Sequence, residues 1–135
     1  MHELVARIRD PELCYVFARN ATRRGHEELA RQAYRHAVNL HAASHRPAGE
    51  AELAALKAIY AYEEALSHAR GRRTKATGTW QMVNRHGLLP ALNKRLAGSG
   101  DQPEVLASLR ALGMEDYRFS AVRDAFPERF ESMAA

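Results

Sequence analysis

The amino-acid sequence predicts an all-α protein, a compact single-domain bundle of about six or seven short helices spanning residues 1–135. Three observations carry this. Ala, Leu, Arg and Glu, all good helix formers, dominate the chain, and the period-two alternation of half-buried strands is missing. Apolar residues recur at spacings of three and four. Proline, glycine and small polar residues fall where helices should begin and end. The 135 residues suit one ordinary domain, and folding at that length removes roughly two-thirds of the unfolded chain's surface from water.

Asp10-Pro11-Glu12 reads as an N-cap, a proline at the first helical position and an early acid. The helix that follows is expected to bury Leu13, Val16, Phe17 and Ala21 and to stop at Gly25. Over 26–44, Leu29, Ala33, Tyr34, Ala37, Val38 and His41 form one stripe. Arg46-Pro47-Ala48-Gly49 is a turn. The segment 50–70 is the longest helix expected, with Leu53, Leu56, Ile59, Tyr60 and Leu66 on one face and Gly71 as a left-handed cap.

Residues 71–78 are polar and cationic, and Thr74, Thr77 and Thr79 are all candidate N-caps for the next helix. Trp80 and Val83 supply its apolar side and Gly87 ends it. Leu88 to Ala97 is a short helix with Leu89, Leu92 and Leu96 inward, and Gly98-Ser99-Gly100 is a joint. Asp101 is expected to cap a helix carrying Val105, Leu106, Leu109 and Leu112, ended by Gly113. Ser120 starts a last short helix limited by Pro127, and 131–135 are expected to fray.

Composition narrows the function classes. No apolar run is long enough to span a membrane, and the charged start Met1-His2-Glu3-Leu4 lacks a signal region. Cys14 is the only cysteine, so no intrachain disulfide can form; a reducing, cytoplasmic setting is expected. The formal net charge of +4 is unevenly placed. Residues 1–64 carry 9 basic and 9 acidic side chains, residues 65–100 carry 7 basic and no acidic ones, and residues 101–135 carry 4 and 7. The whole positive excess therefore lies in the middle third, where its field would attract a polyanion.

Within that third, Arg70, Arg72, Arg73, Thr74 and Lys75 gather at the expected start of a short helix, whose backbone N–H groups add partial positive charge. Gln81, Asn84 and Arg85 lie further along it. Arginine reads guanine and Gln or Asn reads adenine, so these residue types suit base edges. A basic loop, a threonine-capped short helix and a glycine stop are compatible with a helix-turn-helix-like recognition unit. The expectation is a regulatory or accessory protein that binds nucleic acid, DNA rather than RNA, through 70–86, with no cofactor and no chemistry of its own. The alternative is a protein–protein interaction module or inhibitor subunit docking an acidic partner through the same face. Without function, the segment would be a solvated loop between two helices.

Tyr62-Glu63-Glu64, Gly71-Arg72-Arg73-Thr74-Lys75-Ala76, Thr79-Trp80-Gln81-Met82 and Arg85-His86-Gly87, with Glu115-Asp116-Tyr117-Arg118-Phe119 and Phe126-Pro127 later, resemble a pattern in small uncharacterised bacterial all-helical proteins. That resemblance covers about half the chain. It implies a bacterial helical domain and assigns no activity.

Four other features each have a functional and a structural reading. His41 and His45, like Glu64 and His68, lie four apart, and the two pairs facing each other would suit a divalent metal; seven histidines also produce such pairs by chance. Cys14 sits in a helix's first turns, where a thiolate is favoured, yet its neighbours argue for a small core hydrophobe. Tyr62, Glu63 and Glu64 could receive Arg72 or Arg73 and so hold the basic loop; a general acid/base pair is disfavoured, because adjacent residues on a helix point about 100° apart and the two glutamates would not share one site. Leu88, Leu89, Leu92 and Leu96 form a stripe that is either core or the seam of a homodimer. No GxSxG, P-loop, GxGxxG or HExxH pattern occurs, which argues against an enzyme.

Overall fold

The computed structural model describes residues 1–133, and its longest helix, Glu50–Arg70, is the element on which most others pack. In chain order the helices are α1 (Glu3–Ala6), α2 (Pro11–Arg23), α3 (Glu27–Ser44), α4 (Glu50–Arg70), α5 (Thr77–His86), α6 (Leu88–Gly98), α7 (Pro103–Ala111), α8 (Phe119–Ala125) and α9 (Pro127–Glu131), with a 3₁₀ turn at Glu115–Tyr117. The all-α expectation holds, and among the described residues seven of the nine helices have seven residues or more. The two shortest are α1, capped by the His2 ring, and α9. No described helix is long and apolar enough to cross a membrane.

α4 is alanine-rich and buries residues all round, so it can face several neighbours. One side, with Ala51, Ala55, Ala58 and Ile59, meets Leu89 and Leu92 of α6, Phe119 and Val122 of α8 and Phe130 of α9. Another side, with Ala61 and Ala65, meets Val38 of α3 and Leu109, Leu112 and Met114 around the end of α7. Small side chains on α4 let these helices approach closely while the larger partners fill the space between. The leucines of α6 are thus core: Leu89 and Leu92 are buried, and Leu88 and Leu96 pack against the same cluster.

Four sequence-based expectations need correction. The helix expected from Ser120 begins at Phe119 and is not the last, because Pro127, expected to limit it, is the first residue of α9. α2 buries Cys14, Tyr15, Ala18 and Ala21, whereas Leu13 and Val16 remain 57% and 43% exposed. Both stripes have helical spacing. The one bearing small residues won because Ala18 and Ala21 meet Ala30 and Ala33 of α3 at short range. Asp101 does not cap α7, whose N-cap residue is Gln102. It accepts hydrogen bonds from the Phe119 and Ser120 N–H groups (3.1 and 3.2 Å) and so caps α8, which begins at Phe119. None of the three threonines caps α5; its N-cap residue is Ala76, which has no side chain for the task. The expected fraying over 131–135 lies partly outside the described residues, and Glu131 is the last residue of α9.

Candidate nucleic-acid interface

The basic segment is held from below by the last turns of α4. Gly71 ends that helix in the left-handed conformation (φ 71°), which turns the chain back across Glu63, Glu64 and Ser67. All three side chains are buried, and each fixes one part of the loop. Glu64 receives Arg73 through two parallel hydrogen bonds of 2.7 and 2.9 Å. Ser67 Oγ accepts the Thr74 N–H at 2.9 Å and donates to the Glu63 carbonyl at 2.8 Å. Glu63 Oε2 accepts both the Ala76 N–H (2.8 Å) and the Trp80 indole N–H (2.9 Å). The paired glutamates diverge, as their helical positions require, and hold the loop at two separate points. The cap missing from α5's own sequence is supplied by a carboxylate of α4, which also offsets part of the positive charge at that helix end.

This arrangement divides the sequence-predicted residues. Arg73 is committed to Glu64 and lies over the Tyr15 ring, 4.0 Å from its centroid. Burial opposes its charge, yet the bonds and field of Glu64 raise its pKa. Thr74 is half-buried, and its hydroxyl donates to the Arg72 carbonyl. These two residues shape the loop. Arg70, Arg72 and Lys75 are exposed, and none of them forms an ion pair among the described residues.

α5 lays its inner face on the core through Trp80 and Val83. Gln81, Asn84 and Arg85 are exposed, as is Thr77. At i, i+4, i+7 and i+8 these four share one outward stripe. The acids of 101–133 are the natural internal rivals for these cations, and their ion pairs lie elsewhere: Asp116 takes Arg35, and Glu115 takes Arg110. Five cations of the acid-free segment therefore face solvent unpaired among the described residues: Arg70, Arg72, Lys75, Arg85 and Lys94. The remaining one, Arg95, is half-buried and donates to the Tyr62 hydroxyl at 2.9 Å.

Beneath the loop lies an aromatic and histidine stack that the sequence did not announce. His41 stacks on Tyr60 with centroids 4.7 Å apart, and its Nε2 is 3.2 Å from the Tyr15 hydroxyl. Burial lowers the His41 pKa, although Glu63 and Glu64 act in the opposite sense. His45 Nε2 lies 2.7 Å from the Tyr60 hydroxyl, and its ring stacks on Trp80 at 5.8 Å. Of these residues only His41, Tyr60 and Trp80 fall on expected helical stripes, and only the packing of α2, α3, α4 and α5 joins the set. The four residues weighed as metal ligands are engaged separately. His41 and His45 belong to the stack, Glu64 to Arg73, and His68 Nδ1 lies 3.4 Å from the Ser108 hydroxyl. No group of three or more potential ligands occurs among the described residues. Cys14 is fully buried, and desolvation, aided by the charge of Asp10, pushes its thiol up to about 11. A thiol so raised is a poor nucleophile at neutral pH.

Compared with protein-family models, curated proteins and solved structures, the chain matches none.

Proposed function

We propose that this protein binds nucleic acid through the loop 70–76 and the outer stripe of α5, as a cytoplasmic regulatory or accessory factor without chemistry of its own. The observation that carries the reading is the set of unpaired cations beside that stripe. Glu63 and Glu64, the two carboxylates beneath the loop, already accept donors from it, so the charge of Arg70, Arg72 and Lys75 is available to an external polyanion. Arg70, Arg72 and Lys75 take phosphates, and Gln81, Asn84 and Arg85 approach base edges. DNA is favoured because a ten-residue helix fits the wide major groove of B-form duplex, whereas the A-form groove is too narrow to admit one. The held loop lowers the ordering cost of binding, since its conformation exists before contact.

Three neutralised phosphates, at Arg70, Arg72 and Lys75, predict that log K falls with log salt at a slope of about −2.7. Fluorescence anisotropy with a labelled random-sequence duplex between low and moderate salt measures it. Absence of binding to DNA and to RNA at low salt overturns the proposal and leaves an acidic protein as the partner of the same face.

A further inference from the structure

A concavity lies beside the loop. α2, α3, the end of α4 and the first residues of the loop enclose a cavity of about 350 Å³, within the range of small-molecule sites. Its walls combine two kinds of surface. Its apolar part is Tyr34 with the edges of the nearly buried Tyr15 and Leu112, and the Tyr15 ring is covered on one side by the Arg73 guanidinium. Arg19, Arg72 and Arg73 bring three guanidinium groups against a single carboxylate, Glu64, whose two oxygens already accept Arg73. The charge left over belongs to Arg19 and Arg72, which are exposed and form no ion pair among the described residues. The Tyr34 hydroxyl likewise has no hydrogen-bond partner among the described residues, and burial, reinforced by the field of Glu64, raises its pKa, so it stays a neutral donor. Apart from His68, whose Nδ1 faces the Ser108 hydroxyl, the free side chains named here are donors, and the cavity's one carboxylate is neutralised.

We propose that this cavity is a binding site for a small organic anion. Its ring or apolar body rests against Tyr34 and Leu112, and its phosphate or carboxylate is held at the rim by Arg19 and Arg72. An arginine pair suits either group because the planar guanidinium fork matches two oxygens at once. The apolar walls require more than the anionic group alone, so inorganic phosphate should bind much more weakly than the whole molecule. The site does not depend on the nucleic-acid reading, since it needs only a monomeric ligand.

Amide NMR spectra of the full chain test it in two arms, nucleoside monophosphates for the phosphate source and benzoate and salicylate for the carboxylate source. Inorganic phosphate serves as a third titration. Saturable binding in either arm, with shifts gathered at Tyr15, Tyr34, Arg72 and Leu112, is expected, and the arm that binds identifies the anionic group. Arg19→Ala and Arg72→Ala, both surface changes, should each weaken binding about tenfold, and Lys94→Ala should leave it unchanged. Tyr34→Phe, which removes only the hydroxyl, should weaken it less. No binding at millimolar concentration in both arms overturns the proposal. So does inorganic phosphate binding as tightly as the larger anions, or an Arg19→Ala/Arg72→Ala double variant that binds like the parent. Loss of duplex binding alone leaves the site standing.

Discussion

Two adjacent arginines in the basic loop should respond oppositely to removal. Arg73→Ala strips Glu64 of its partner while that carboxylate is only 3% exposed. Breaking a fully buried pair costs about 3–5 kcal/mol, and an exposed pair about 0–1 kcal/mol. The Arg73 side chain is 49% exposed, so water enters the space it vacates and reaches one side of Glu64. A value between the limits follows, about 2–3 kcal/mol. For 135 residues the unfolding entropy near the midpoint is about 0.28 kcal/mol/K, so the midpoint should fall by roughly 7–11 °C. Arg72→Ala touches no buried partner and should change stability by about 0.5 kcal/mol or less. It should instead remove one phosphate contact and move the salt slope from about −2.7 to about −1.8. Thermal unfolding followed by circular dichroism and the anisotropy titration read the two effects separately. An Arg73→Ala protein that melts with the parent would falsify the assignment of Arg73 to the fold. An unchanged salt slope for Arg72→Ala would remove Arg72 from the interface.

Other consequences are independent of that pair. Glu63→Ala leaves the Trp80 indole N–H and the Ala76 N–H without their acceptor and should cost about 2–4 kcal/mol, with a red shift of Trp80 emission in the native state; native emission identical to the parent would contradict it. Asp101→Ala uncaps α8 and should cost about 1–2 kcal/mol in urea unfolding, whereas Asp101→Asn should retain part of the cap. His41 is neutral in the fold because burial lowers its pKa, so the unfolded chain takes up the proton first as pH falls. Its contribution to stability is complete above about pH 6.5 and declines below that until the folded-state pKa is passed. His41→Phe, which keeps a ring on Tyr60, should flatten the pH dependence of stability over that window, and a curve parallel to the parent's would count against the assignment. Cys14 should react with a thiol reagent near neutral pH only as fast as the chain opens; prompt native-state labelling would show that it is accessible.

Much of the helical framework was legible in the sequence. The bounds of α3 and α4, the left-handed Gly71, and the glycine breaks after α5 and α7 follow from periodicity and backbone preference, which act within a few residues. The candidate interface was legible in part. Arg70, Arg72, Lys75, Gln81, Asn84 and Arg85 are exposed, and their charge and residue type could be read directly. Arg73 looks the same as Arg72 in the chain, and only the position of Glu64 beneath it separates the two.

The amino-acid sequence by itself determined the fold class, the approximate helix ends and the placement of the entire charge excess between 65 and 100. Those properties depend on local preference and on counting. Tertiary structure alone decided which stripe of α2 faces inward, which helix Asp101 caps, and that Glu63 stands in for the missing cap of α5. It also decided which cations remain free. Each of these outcomes joins residues on separate helices, and burial makes a contact obligatory only once the helices have packed. A buried carboxylate must find a donor, and the nearest donors to Glu63 and Glu64 belong to the basic loop.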